Sequence, residues 1–197
     1  MPGNPPPFDN EADGILLYLI QQRDGLRYAA YGLTEDQLRQ RATPASALTV
    51  GGLVKHSAKT EHGWIDLIAG EAANKTEDEY GSDFVLAEDE SYDTLMALLD
   101  ETAANTEQVV RALPDLEVKV QLPEAPWYPQ NADGYSARWI LLHVLEELAR
   151  HAGHADIVRE HIDGATMYEL MAGAEGWPAT EWMTPWQPPD TRAGADT

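Results

Sequence analysis

Four titratable side chains share one row of a helix-forming segment. His143, Glu147 and His151 recur every fourth residue, and His154 follows three later. A helix turns about 100° per residue, so the four fall within an arc of roughly 80°. Ile140, Val144 and Val158 occupy the same arc, so the row faces a core, whereas Glu146 points elsewhere. Imidazole and carboxylate groups on a buried face need a compensating partner. A divalent cation is the simplest one. A catalytic zinc site takes three protein ligands and leaves a fourth position open. Glu147 and His151, one turn apart at the centre of the row, can grip one ion side by side. The third ligand has to come from another helix, and His56 is the best placed. His62 falls on a polar face and is set aside.

Other roles stay open. His143 and His154 compete with Glu147 and His151 as ligands. His154 or Asp156 can instead orient a ligand from behind. Arg150 borders the row and can meet a substrate carboxylate or form a surface salt bridge. Glu–His pairs at this spacing also occur as ordinary helix-stabilising contacts, and a solvated polar seam at a dimer interface is the rival reading of the row. Glu61 falls with Val54, Ile65 and Ile68 on an apolar side. It is expected to cap or pair with a basic group and is given no chemistry.

Four long amphipathic segments must position these groups. Asp9 or Asn10 can cap the first, whose Leu16, Leu19, Ile20, Leu26 and Ala30 keep helical spacing. Thr34-Glu35-Asp36-Gln37 is a capping-box pattern opening a short helix to about Arg41. The second long helix is expected over 49–69. Leu53, His56, Thr60, Trp64 and Leu67 share one face of it, and Lys55, Lys59, His62 and Asp66 the opposite, solvated one. Residues 71–90 read as a long acidic crossover. A third helix is expected over 91–113, ended by Pro114. Residues 114–135 hold the turn signal Asn131-Ala132-Asp133-Gly134, with only a weak hairpin signal at 118–122. Ser136 caps the fourth long helix, which runs to Ile162, and Gly164 suits the left-handed position after it. A shorter helix over 166–174 follows. Trp177, Trp182 and Trp186 then lie among prolines, as an aromatic strap laid over the bundle or against a second subunit. These elements make an all-α four-helix bundle. Residues 1–8 read as an extended or disordered arm, 9–187 as one domain, and 188–197 as a disordered tail.

Composition narrows the function. Of 197 residues, 43% are apolar, which suffices for a core. The 34 acidic and 13 basic residues leave a formal charge of −21, which repels phosphate backbones and anionic lipid. No nucleic-acid or membrane partner is expected. There is no cysteine, so any thiol chemistry needs an external thiol. The first residues lack the parts of a secretory signal, and a cytoplasmic location is expected. GxGxxG, Walker A, GxSxG and HExxH patterns are all absent.

The segment from His143 to Asp156, with Leu53-Val54-Lys55-His56, Ile162-Asp163-Gly164-Ala165-Thr166 and Leu33-Thr34-Glu35-Asp36-Gln37-Leu38-Arg39, resembles the DinB/YfiT-like superfamily. The resemblance is to its mycothiol-dependent actinobacterial branch and covers about residues 12–170. It implies an up-down-down-up bundle, often a homodimer, with a divalent ion, zinc or nickel, near one end. Many relatives use three histidines; mycothiol-dependent maleylpyruvate isomerase resembles this chain in using one histidine and a Glu-x-x-x-His pair. That pattern falls on His56, Glu147 and His151. The branch implies a thiol S-transferase that joins mycothiol, or a similar small thiol, to a small electrophile, with His154 or Arg150 steadying an anionic group. The alternatives are a metal-dependent hydrolase and a non-catalytic, metal-stabilised, ligand-binding or stress-related helical dimer.

Overall fold

The computed structural model describes residues 3–71, 81–122 and 133–188. Among these residues there are four long helices, α1 (Glu11–Ala30), α3 (Val50–Ala69), α4 (Tyr92–Ala112) and α5 (Ala137–Asp163), with short helices α2 (Glu35–Leu38) and α6 (Met167–Ala174). A two-residue antiparallel ladder pairs β1 (Lys119–Val120) with β2 (Tyr135–Ser136). The described residues form an all-α helical bundle.

The helix starts are chemically specified. Asn10, Thr49, Ser91 and Ser136 each accept a hydrogen bond from a backbone N–H in the following turn, supplying partners for donors the helix cannot pair itself. Asn10, not Asp9, caps α1. The Thr34 capping box is present, but α2 stops at Leu38 rather than near Arg41. α3 and α5 end on Gly70 and Gly164, both in the left-handed region at φ 78°.

Side-chain contacts define the directions. Glu11 meets Arg138 (2.7 Å) at the start of α1 and α5, and Arg159 donates to the Ala29 carbonyl (2.9 Å) near their ends, so these two run parallel. His56 packs on His151 while Trp64, farther along α3, packs on the earlier His143, so α3 opposes α5. Lys55 reaches Glu90, just before α4, and Thr106 donates to Glu61, so α4 runs with α3. Arg27 with Asp100, and Arg111 with Asp13, set α4 against α1. The order is up-down-down-up. α3 and α4 are parallel neighbours, and described residues 83–90 pack beside the first half of α3.

Two apolar clusters form the core. One centres on Leu26, Leu53, Ala58, Leu99 and Ala155, the other on Leu19, Ile65, Val110, Leu141 and Leu148. Between them lies a buried ion pair. Arg23 makes a two-pronged contact with Glu61, Nε to Oε2 at 2.9 Å and Nη2 to Oε1, and Thr106 Oγ1 donates to Glu61 at 2.6 Å. Glu61 is fully buried and joins three helices.

Three expectations about faces change. Lys55 is buried and reaches the Val85 carbonyl and Glu90, both at 2.8 Å, while Lys59 holds buried Asp83 at 3.0 Å. The crossover covers this side of α3, so it is not a solvated face there. The buried face of α3 carries Val54, Ala58, Glu61 and Ile65, and His56, Thr60 and Trp64 line its rim toward α5. Ile20 is exposed, and Ile15 and Ala29 take core positions on α1.

The strap lies on the bundle. Trp186 N–H donates to the Glu169 carbonyl (2.9 Å), and its ring sits 4.6 Å from the Arg159 guanidinium and edge-on to Tyr31. Trp182 is exposed. Asn131 and Ala132 of the expected turn, the expected tail beyond Pro188, and Met1 and Pro2 of the arm lie outside the described residues. No described helix is long and apolar enough to cross a membrane.

Candidate metal centre

α5 carries Glu147 and His151 one turn apart at its middle, and His151 Nε2 lies 3.4 Å from Glu147 Oε2. α3 presents His56 in its second turn. The His56 and His151 rings meet edge to face, centroids 4.7 Å apart at 83°. One ligand atom from each of His56, Glu147 and His151 lies within 4.8 Å of the other two. The group sits near the start of α3 but halfway along α5, since α5 is the longer helix.

Burial pushes the His151 imidazolium down; Glu147 opposes this and His154 reinforces it. His151 therefore favours the neutral form, the one that binds a metal. Two imidazoles and a carboxylate match the nitrogen and oxygen donors that a divalent transition ion takes, with fewer than four protein ligands. The residues fit such an ion.

Phe84, from the crossover, stacks on His56 with ring centroids 3.7 Å apart at 17°, and stands 5.7 Å from His151. Thr60 Oγ1 lies 3.3 Å from His56 Nε2. These two fix the ring of His56. Phe84 is itself held by the Lys55 and Lys59 contacts and by a close approach at Gly52, where a Cβ would lie 2.0 Å from the Phe84 carbonyl oxygen. Neither Phe84 nor Thr60 was read from the sequence as part of a site. The available signal was Gly51-Gly52, a costly pair inside a helix that marks another backbone close by.

The remaining candidates disperse. His154 Nδ1 lies 3.5 Å from His151 Nδ1, behind the group. Arg150 is exposed and pairs with Glu146 at 2.8 Å. His143 stacks on Trp139 (5.3 Å, 18°), one turn from Glu147, and lies 3.6 Å from Glu146. Asp156 lines a cavity of about 430 Å³ with Asp24, Tyr28 and Met171, away from the ligand group. His62 is on the surface, 3.4 Å from Asp66.

The family described as Mycothiol-S-transferase matches residues 15–164. A crystal structure of a conserved protein from Enterococcus faecalis shares the fold, with TM-score 0.62 and 15% identity over 80% of this chain and 100% of that one. No curated protein matches. Since the matched stretch is well over half of the chain and reaches into all four long helices, the chain belongs to the mycothiol S-transferase family of DinB/YfiT-like bundles.

Proposed function

We propose that this protein is a divalent-metal-dependent S-transferase that joins mycothiol, or a similar low-molecular-weight thiol, to a small electrophile. The supporting observation is the convergence of His56, Glu147 and His151 from two helices to within 4.8 Å. These three residues would hold the ion, with zinc the ion best suited to the donor set and nickel the alternative. When bound, the ion supplies the positive charge that lets a thiol lose its proton near neutral pH. The chain has no cysteine, so the sulfur nucleophile arrives with the cosubstrate.

The surrounding residues prepare the donors. Phe84 and Thr60 hold the His56 ring in one orientation. Burial favours the neutral form of His151, and His154 lies against it, Nδ1 to Nδ1 at 3.5 Å. Glu147 stands half-buried beside His151, Oε2 to Nε2 at 3.4 Å.

Elemental analysis of the purified protein tests the assignment. The wild type is expected to hold about one divalent ion per chain and His151→Ala to lose most of it, because removing one of three ligands weakens binding severely. Metal-loaded wild type should consume mycothiol in the presence of an electrophile. Equal metal content in the two proteins would overturn the ligand assignment.

A further inference from the structure

Four aromatic rings, those of Trp64, Tyr135, Trp139 and His143, lead away from the ligand group, and the S-transferase reading gives none of them a role. On α5, Trp139 and His143 precede Glu147 by two turns and one turn, about 12 and 6 Å along the axis. On α3, Trp64 follows His56 by two turns. Since α3 and α5 run in opposite directions, both rows lead the same way from the ligand group. They meet there: Trp64 stands edge-on to His143 (4.8 Å, 79°) and to Trp139 (6.0 Å, 64°). Trp139 and His143 are nearly coplanar in tilt, at 18°, and Tyr135 extends the wall 4.4 Å from Trp139. Trp139 is 37% exposed, although it belongs to a helix whose inward side is fully buried. Trp64 packs on the edge of the second apolar cluster, so the rim between core and solvent is aromatic here.

The geometry points to this wall as the acceptor subsite, selecting planar, electron-poor aromatic electrophiles; the inference rests on the S-transferase reading above. Indole faces carry negative charge density and favour offset stacking with electron-poor rings. A ring stacked on Trp139, with Trp64 at its edge, would present its reactive carbon along the row toward Glu147 and the thiol. With a chloroarene the sulfur forms a bond to the ring carbon that bears chlorine, and the electron pair moves into the ring. The carbon–chlorine bond then breaks, chloride leaves with its pair, and the thiol proton goes to solvent. Thiol and chloroarene give thioether, chloride and a proton, with no redox change.

Two readouts test it on the full-length, metal-loaded protein. The first is calorimetric binding of N-acetyl-S-(2,4-dinitrophenyl)cysteine, which does not react. Trp139→Leu is expected to weaken binding about 5- to 10-fold, and Trp139→Phe to recover much of it. Trp182→Leu, which alters an exposed ring outside the wall, should change nothing. The second is mycothiol-dependent turnover. Trp139→Leu should raise KM for 1-chloro-2,4-dinitrobenzene by a similar factor while leaving kcat/KM for iodoacetamide and the metal content unchanged. Trp64→Leu repeats the test from the other helix if Trp139→Leu does not fold. Absence of probe binding by the wild type, unchanged binding in the variants, or equal losses with both acceptors would overturn the subsite. Absence of thiol-dependent turnover with either acceptor overturns the S-transferase reading, while the binding measurement still decides whether the wall takes an aromatic ligand.

Discussion

Gly52→Ala tests how the crossover holds His56. Glycine in the interior of a helix is about 1 kcal/mol less favourable than alanine, so the change should stabilise an unobstructed helix. Gly63, on the same helix, has no atom within 4 Å of the position its Cβ would take. Gly63→Ala is therefore expected to gain up to about 1 kcal/mol. At Gly52 the new Cβ would stand 2.0 Å from the Phe84 carbonyl oxygen and 2.9 Å from its carbon. Heavy atoms do not approach a Cβ within 3.0 Å, so that backbone must retreat by about 1 Å. Overpacking of this kind costs about 1–3 kcal/mol, which cancels or exceeds the helical gain. The net expectation is a loss of up to about 2 kcal/mol, or up to roughly 8 °C in Tm for a chain of this size. The retreat also lifts the Phe84 ring from His56, so metal affinity should fall in Gly52→Ala and hold in Gly63→Ala. Urea unfolding and metal titration of both variants measure this. If both are stabilised alike and bind metal alike, the crossover does not seat Phe84 on His56 as described.

Other outcomes follow from buried charge. Glu61→Leu leaves the Arg23 guanidinium, 4% exposed, without its carboxylate and should cost about 3–5 kcal/mol in urea unfolding. Arg23→Met with Glu61→Leu should recover most of that, whereas Arg150→Ala, at an exposed pair, should cost under about 1 kcal/mol. Burial, and then Glu160, push the Asp156 carboxyl up to about 6 from 3.8. The folded state keeps this proton over a range where the unfolded chain has released it, so the contribution is complete below about pH 4 and is lost as pH rises through about 6. Asp156→Asn should accordingly raise stability by about 1–2 kcal/mol at pH 7.5, allowing for partial exposure, and leave it unchanged near pH 4, as measured by denaturation at the two pH values.

The limits of the four long helices and the pairing of Glu147 with His151 were legible in the sequence because both are local. Caps such as Thr49 and Ser136 lie within a turn of the donors they serve, and residues four apart on a helix are neighbours whatever surrounds it. His56 was legible only as an inward-leaning histidine on another helix; its approach to His151 is a tertiary contact. Tertiary structure decided how far each helix is rotated, and with that which face is covered. Lys55 and Lys59 have the spacing of a solvated stripe, but a crossover some 30 residues away supplies their partners. Glu61 finds Arg23 on α1, 38 residues away, and His143 turns to Trp139 and Trp64. Phe84 sits in an acidic stretch with no helical period to read. It reaches His56 because two glycines let one backbone approach another, a contact that depends on both segments at once.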